Sequence, residues 1–327
     1  MDNPALINAL MDGPKSGVRL AAEFGVSRAA VWKRIELLRE RGVAIDTDAR
    51  QGYRLARPTP LLEKSVILAA MDAASRQNLY SLQIDFETDS TQLRAMAEPA
   101  PSQGIAVWLA EMQTAGQGRR GKRWCSPPLA NIHCSINRRF NLPVAAMSGF
   151  SLACAVMIVQ SLQKQGITGL ALKWPNDLYI NDKKLGGILI EGGQKIIGEP
   201  FWMIIGIGLN LKSLSSTSSS SQIEYPIACL AELPGLEHSQ LIPIWQQLTQ
   251  SLNDILHRYM NSGFEQFIPD WNQWHLLQDQ LVEIQDENTA ILTGKCRGIN
   301  DYGAIIIETT SGIKTIHNGT LSLKKCP

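Results

Sequence analysis

The sequence predicts a multidomain α+β fold in three parts: a small helical head, a central α/β core built on a mixed sheet, and a small C-terminal β-barrel. Three observations carry this reading. Residues 4–41 hold three short helix patterns, broken by Gly13-Pro14 and by Gly25. Between Ile84 and Leu211, strand-like apolar runs alternate with one long apolar helix pattern. Beyond Asp279 the pattern turns to short strands punctuated by Gly298, Gly303, Gly312 and Gly319.

A chain of 327 residues has room for two or three domains and a sizeable core. Its 44% hydrophobic and 19% charged residues are those of a folded protein, not a disordered one. The formal net charge is +1, but its distribution is uneven. Residues 1–58 carry ten Lys/Arg against seven Asp/Glu, so the remainder is slightly acidic. The six cysteines (Cys125, Cys134, Cys154, Cys229, Cys296, Cys326) form no CxxC pair, and the five histidines show no HxxxH spacing. Free thiols in a reducing compartment are therefore expected, and a structural zinc site is not. No signal sequence is visible and no apolar run approaches ~18 residues, so no membrane partner is expected and the cytoplasm is the expected location.

In the head, helices fit residues 4–11, 18–24 and 28–41, with Ser27 as N-cap of the third and Gly42 as its end. Val31, Ile35 and Leu38 recur at helical spacing and form its buried stripe. Arg28, Trp32, Lys33, Arg34 and Arg39 then lie largely off the stripe. Residues 43–47 and 53–55 read as two short strands around Gln51-Gly52. Two helices joined by a tight turn, followed by a small wing, make a winged helix-turn-helix. Its cationic third helix suits the major groove of DNA, with Ser27, Arg28, Trp32, Lys33 and Arg34 as the DNA-binding candidates. A three-helix packing module with a solvated charged face is the competing reading.

Arg57-Pro58-Thr59-Pro60 is a stiff boundary. A connector helix over 63–74 follows, and a second domain begins near Leu79. Residues 84–87 read as a strand running into Asp89-Ser90-Thr91-Gln92, a helix N-terminus whose side chains cap free N–H groups. The strand at 104–110 delivers the chain into a loop, residues 110–126, that interleaves Gly116, Gly118 and Gly121 with Arg119, Arg120, Lys122 and Arg123 and reaches Trp124. Glycine lets backbone N–H groups approach an anion, and arginine offers forked donors to carboxylate or phosphate oxygens. The loop matches neither a Walker A nor a Rossmann fingerprint, and a solvated turn is its alternative.

Further strands are expected at 131–140, 170–174 and 201–211, and a buried helix at 147–165. Residues 178–180 and 185–191 pair as a hairpin around Asn181-Asp182, after a turn at Pro175-Asn176-Asp177. Residues 214–221, nearly all Ser and Thr, read as a surface loop. An amphipathic helix is expected over 241–259. Strands at 281–285, 290–296, 304–308 and 314–317 complete the barrel.

Together, AEMQTAGQGRRGKRW (110–124), LKWPNDLYINDKKLGGILIE (172–191) and GIGLN (206–210) resemble the motifs of the biotin–protein ligase family, in its bifunctional ligase and biotin operon repressor form. The order of parts agrees over essentially the whole chain. The resemblance implies a biotin/lipoate-ligase-type core, an SH3-like C-terminal barrel, and domains at 1–58, 79–275 and 276–327 with a linker at 59–78.

It implies an ATP-dependent, Mg²⁺-assisted activation of biotin to biotinyl-5′-AMP, then transfer to a lysine of the biotin carboxyl carrier protein of acetyl-CoA carboxylase. It also implies repression of biotin synthesis genes through operator DNA by a ligand-promoted homodimer. Arg119, Lys173 and Lys184 are the catalytic candidates. Ser90, Thr91, Gln92, Gln113, Gln117 and Gly118, together with Arg119 and Lys184, match biotin-binding positions. Arg120, Arg123, Trp124 and Lys173 match adenylate-side positions. So do Asn176, Asp177, Asn210 and Tyr225, with Asp177 also the candidate for Mg²⁺. Departures are Gln117 where the family often has Arg, Gln92 where it often has Asn, and Tyr225 where the repressor type has Trp. A ligand-sensing repressor with an impaired ligase core, and a ligase for lipoate, are the alternatives.

Overall fold

The computed structural model describes residues 1–141, 144–193, 201–212, 226–233, 258–285, 291–317 and 319–323. The expected Ser-rich loop at 214–221, Tyr225, and all but the last residues of the amphipathic helix expected over 241–259 lie outside them.

The head follows from its caps and its stripe. Helix α1 (Asn3–Met11) starts at Asp2, whose carboxylate accepts from the Ala5 N–H at 2.9 Å. Helix α2 (Gly17–Phe24) is capped by Ser16 and stops at Gly25, which takes a left-handed φ of 64°. Helix α3 (Arg28–Glu40) starts at Ser27, whose hydroxyl accepts from the Ala30 N–H at 3.1 Å. Val31, Ile35 and Leu38 are wholly buried against Leu6, Ile7, Leu10 and Leu20. Each such side chain contributes on the order of 1.5–3 kcal/mol. Strand β1 (Ile45–Asp48) pairs antiparallel with β2 (Gly52–Leu55) as the wing. A Cβ at Gly52, where φ is +95°, would lie 2.4 Å from the Lys15 carbonyl oxygen, so glycine is what lets the wing close on the first loop.

The connector departs from expectation. It is two short helices, α4 (Lys64–Ala70) and α5 (Ala73–Asn78), with Met71 and Asp72 extended between them. The reason is local: the Asp72 carboxylate accepts from the Ser75 N–H at 2.7 Å and starts a new helix in place of continuing the old one.

The core is a seven-stranded sheet. In chain order its strands are β3 (Leu79–Thr88), β4 (Ile105–Gln113), β5 (Asn131–Phe140), β6 (Leu170–Lys173), β7 (Asp177–Ile180), β8 (Lys183–Gly193) and β9 (Phe201–Asn210). In space they run β3-β4-β5-β9-β8-β7-β6, with β3–β4 parallel and every other pair antiparallel. Two helices flank the sheet. Helix α7 (Phe150–Lys164) is almost wholly buried and shares a core with Ile132, Cys134 and Ile136 of β5 and with Ile205, Ile207 and Leu209 of β9. Helix α6 (Thr91–Ala97) packs near β4, β5 and β9, with Ala95 among Ala106, Trp108 and Ile204.

The head sits directly on this core. Arg41, at the end of α3, forms an ion pair with Glu87 of β3, and Phe86 and Leu129 join the hydrophobic cluster of the head. Glu111 of β4, nearly buried, accepts from the backbone N–H of Leu62 in the connector.

At the C-terminal end, helix α8 (Ile268–Trp274) leads into β10 (Leu281–Gln285), β11 (Leu292–Ile299), β12 (Ile305–Thr309), β13 (Gly312–Ile316) and β14 (Thr320–Leu323). They form an antiparallel sheet ordered β13-β12-β11-β10-β14. The expected small barrel takes the form of this five-stranded antiparallel sheet, with no pairing of β13 to β14 among the described residues. The short last strand, unread in the sequence, pairs with β10 and not with β13, which stays an exposed edge. Trp174 Nε1 donates to the Gly303 carbonyl at 3.0 Å, and the Leu276 N–H to that of Leu172 at 2.8 Å, so this sheet is anchored where β6 ends. No helix of the described residues is long and apolar enough to cross a membrane.

Candidate active site

Strand alternation builds the floor of the site. With Ile132, Cys134 and Ile136 turned to α7, the intervening Asn131, His133, Ser135 and Asn137 face the other way. In the β5–β9 register they stand opposite Asn210, Gly208, Gly206 and Ile204. The floor is therefore polar on one strand and bare of side chains at two places on the next. The N-terminus of α6, the glycine-rich loop and the β7–β8 hairpin close over it, around a cavity of about 270 Å³.

At the α6 end, the Ser90 hydroxyl accepts from the Gln92 N–H at 3.2 Å, and the Asp89 carboxylate from the Ser90 N–H at 2.6 Å. The Thr91 N–H donates to Gln113 Oε1 at 2.8 Å, and Gln113 Nε2 to the Ser126 hydroxyl at 2.9 Å. The Ser135 hydroxyl lies 2.9 Å from that of Thr91 and 3.0 Å from Gln92 Oε1. Gln92 Nε2 donates to Glu191 at 2.9 Å. These buried polar groups hold one another in fixed orientations, as pre-organised recognition requires.

The loop is a small hairpin. The Gly118 N–H bonds the Lys122 carbonyl at 2.7 Å, the Trp124 N–H bonds that of Gly116 at 2.9 Å, and Gln117 bridges to Arg123. Its tip turns through Arg120 and Gly121, both at positive φ. From the tip, Arg119 Nη1 donates to Asn176 Oδ1 at 3.3 Å, joining the loop to the turn after β6. Arg123 Nη2 turns back to the Thr114 carbonyl at 2.7 Å and braces the loop. The Trp124 ring lies on Gly208, where a Cβ would come within 2.7 Å of it.

The hairpin supplies the other cations. Lys184 Nζ is 2.8 Å from Asp177 Oδ1 and 5.9 Å from the Trp124 ring centre. Lys173 Nζ lies 5.5 Å from the Tyr179 ring centre. Burial pulls the Lys173 ammonium below its ordinary pKa, Asp177 pulls it back up, and Lys184 pushes it down again. Asn176 Nδ2 donates to the Ile188 carbonyl at 2.7 Å, and Asn210 Nδ2 to that of Lys184 at 3.2 Å. Arg119, Lys173 and Lys184 thus line one cavity, with Arg120, Lys122 and Arg123 on its loop side and Asp177 as its carboxylate. Such a site draws two anions together against their mutual repulsion.

Residues 87–210 match the biotin/lipoate A/B protein ligase family, residues 6–54 an HTH domain, and residues 279–324 the biotin protein ligase C-terminal domain. The chain is 31% identical over 320 residues to the bifunctional ligase/repressor BirA of Escherichia coli (strain K12), covering 98% of this chain and 96% of that one. The chain belongs to the biotin–protein ligase family. It is also similar to the bifunctional ligase/repressor BirA of Bacillus spizizenii, at 30% identity over 94% of this chain and 93% of that one. Among solved structures it resembles the biotin protein ligase of Aquifex aeolicus in complex with biotin and ATP, with a TM-score of 0.62 at 25% identity. That match covers 76% of this chain and 100% of the other.

In this member of the biotin–protein ligase family, the cavity gathers Ser90, Thr91, Gln92, Gln113, Gln117, Gly118, Arg119 and Arg120 from the sequence-predicted set. It also gathers Arg123, Trp124, Lys173, Asn176, Asp177 and Lys184. Asn210 stands beside it, and Tyr225 lies outside the described residues. The head candidates are set apart on α3. Arg28, Trp32 and Lys33 are exposed, Ser27 is engaged as the helix cap, and Arg34 donates to Asn3 Oδ1 at 3.1 Å. Sequence reasoning missed His133, Ser135 and Glu191. The first two were signalled by period-two polarity in the strand Asn131–Phe140; Glu191 closes the motif at 172–191, but no pattern there points it to the site.

Proposed function

We propose that this chain activates biotin with ATP and passes it to a lysine of a biotin carboxyl carrier protein, and that the loaded protein represses transcription through its head. The gathering of Arg119, Lys173 and Lys184 in one cavity above a polar floor is the observation that carries the chemistry. A carboxylate oxygen of biotin attacks the α-phosphorus of ATP, the bond to pyrophosphate breaks, and biotinyl-5′-AMP forms. The three cations offset the repulsion between carboxylate and triphosphate and stabilise the charge that develops. The neutral amine of the carrier lysine then attacks the acyl carbon, AMP leaves with the bonding pair, and the new amide loses a proton.

In this reading Ser90, Thr91, Gln92, Gln113, Gln117 and Gly118 hold the biotin end. Arg120, Arg123, Trp124, Asn176, Asp177, Asn210 and Tyr225 serve the adenylate. A closed loop over the anhydride shields it from hydrolysis. Asp177 is bonded to Lys184, and no group of three or more His, Cys, Asp or Glu that could hold a metal occurs among the described residues. These residues do not make a protein-built Mg²⁺ cage, and we assign Mg²⁺ to the nucleotide's own phosphates.

For the repressor role, the reading divides the chain at 1–58, 59–78, 79–275 and 276–327, places it in the cytoplasm, and makes it a ligand-promoted homodimer. Two α3 helices then meet a two-fold operator. The test is incubation with biotin, ATP, Mg²⁺ and a carrier domain, read as mass gained on the carrier lysine. Biotinylation that is lost in Lys184→Ala supports the reading. Biotin binding without transfer replaces it with a ligand-sensing repressor, and transfer of lipoate alone replaces the substrate.

A further inference from the structure

His133 is 1% exposed and lines the cavity, and the ligase reading above gives it no part. Its Nδ1 lies 3.2 Å from the Ala110 carbonyl oxygen on β4. A carbonyl only accepts, so Nδ1 carries the ring proton. Burial holds the imidazole pKa down at about 4, so the ring is neutral near pH 7 and Nε2 is a bare lone pair. Among the described residues that lone pair meets no donor. Its neighbours on the floor are already engaged: the Ser135 hydroxyl with Thr91 and Gln92, and the Gln92 amide with Ser135 and Glu191.

A second buried atom is unmet nearby. Trp124 Nε1, a donor, also has no partner among the described residues. His133 stands directly opposite Gly208, and a Cβ at Gly208 would come within 3.0 Å of Trp124 Nε1. The unmet acceptor and the unmet donor therefore both belong to side chains that meet at Gly208, His133 across the register and Trp124 over it. A buried polar atom left unpaired costs about 1–3 kcal/mol, and a ligand that pairs it recovers that cost. The ligand chemistry that satisfies both is a ring edge carrying an N–H beside a C=O, as in a cyclic urea. A dithiolane ring offers neither.

We propose that His133 is a specificity-determining residue of the cavity, its Nε2 accepting a hydrogen bond from a ring N–H of the bound substrate. This rests on the biotin reading above and supplies a reason for biotin over lipoate. A site built to accept from an N–H rejects an analogue without one far more strongly than an apolar pocket does.

The experiment uses the full chain with ¹⁵N-labelled histidine, and titrates biotin and its two mono-N-methyl ureido derivatives. The expected result is an upfield move of the His133 Nε2 resonance on adding biotin, and on adding only one of the two derivatives. His133→Phe, which keeps a buried ring without the lone pair, is expected to bind biotin roughly 10- to 100-fold more weakly. It binds the derivative lacking the relevant N–H as wild type does. If His133→Phe fails to fold, the wild-type resonance decides. Biotin bound with the Nε2 resonance unmoved, or His133→Phe binding biotin as wild type does, overturns the role of His133 and leaves the ligase reading standing. No biotin binding by wild type overturns both.

Discussion

Asp177 stands between two lysines. It is opposite Lys173 in the β6–β7 register and holds the Lys184 ammonium at 2.8 Å across the β7–β8 hairpin. One carboxylate thus steadies two cations that would otherwise repel each other in a partly desolvated cavity.

Removing Lys184 therefore takes away a cation, while removing Asp177 disturbs both. Lys184→Ala is expected to slow adenylate formation roughly 100- to 1,000-fold, the scale for losing a group that stabilises developing charge. Asp177→Asn is expected to cost less at neutral pH, but to bring the alkaline loss of activity to lower pH. Asp177 raises the Lys173 pKa, so without it the lysine gives up its proton sooner. Biotin-dependent pyrophosphate release across a pH series measures both.

Gly208 leaves space for the indole of Trp124. Gly208→Ala would set a methyl within 2.7 Å of that ring, and the ring must shift. Biotin affinity is expected to fall roughly ten-fold or more, with the melting temperature nearly unchanged because the clash lies at the cavity and not in the core. Isothermal titration beside a thermal melt separates the two effects.

Glu111 makes stability depend on pH. Burial pushes its carboxyl from 4.5 up to about 7, against the pull of the Leu62 N–H and of Lys212. A raised native pKa means that the folded chain keeps a proton which the unfolded chain releases. Stability is thus expected to fall as pH rises from about 4.5 to about 7, by up to roughly 3 kcal/mol, and to lose nothing further from this group above that. Glu111→Gln, which can still accept from Leu62, is expected to flatten that slope and to outlast wild type in urea at pH 8. Parallel urea melts at pH 5.5 and pH 8 check the sign.

Lys33 and Arg28 on α3 are exposed, whereas Arg34 is tied to Asn3. Lys33→Ala is expected to weaken binding to random-sequence duplex DNA and to lower the slope of log affinity against log salt by about 0.9. Arg34→Ala is expected to act more on head stability than on that slope. Fluorescence anisotropy at several salt concentrations, beside thermal melts, distinguishes them.

The parts of the fold that the sequence displayed are those with strong local signals. Ser27 and Gly25 bracket the head's turn, and the run from Phe150 to Lys164 is too apolar to be anything but buried. The connector was misread because helix propensity runs through residues 63–74, while Asp72 offers a competing cap that periodicity does not weigh. The last strand went unseen because Thr320–Leu323 runs straight into Lys324-Lys325, with no turn signal on that side to bound it. In the site, Arg119, Lys173 and Lys184 were legible through motif order, although they lie on three separate segments. His133 was not, since the alternation along Asn131–Phe140 marks a two-faced strand but not which face meets a cavity, and its neighbours across the sheet, Ala110 and Gly208, are set only by the fold.

The two faces of β5 have a consequence for how such a chain can change. Ile132, Cys134 and Ile136 belong to the packed interior, and a substitution there is felt by α7 and the whole sheet. Asn131, His133 and Ser135 face the other way, and His133 and Ser135 line the cavity. Substituting every second residue can therefore retune what the cavity accepts while the interior keeps its shape. A one-residue slip in pairing would bury the polar set and expose the apolar one, so the register that makes the protein stable also keeps its chemistry separately adjustable.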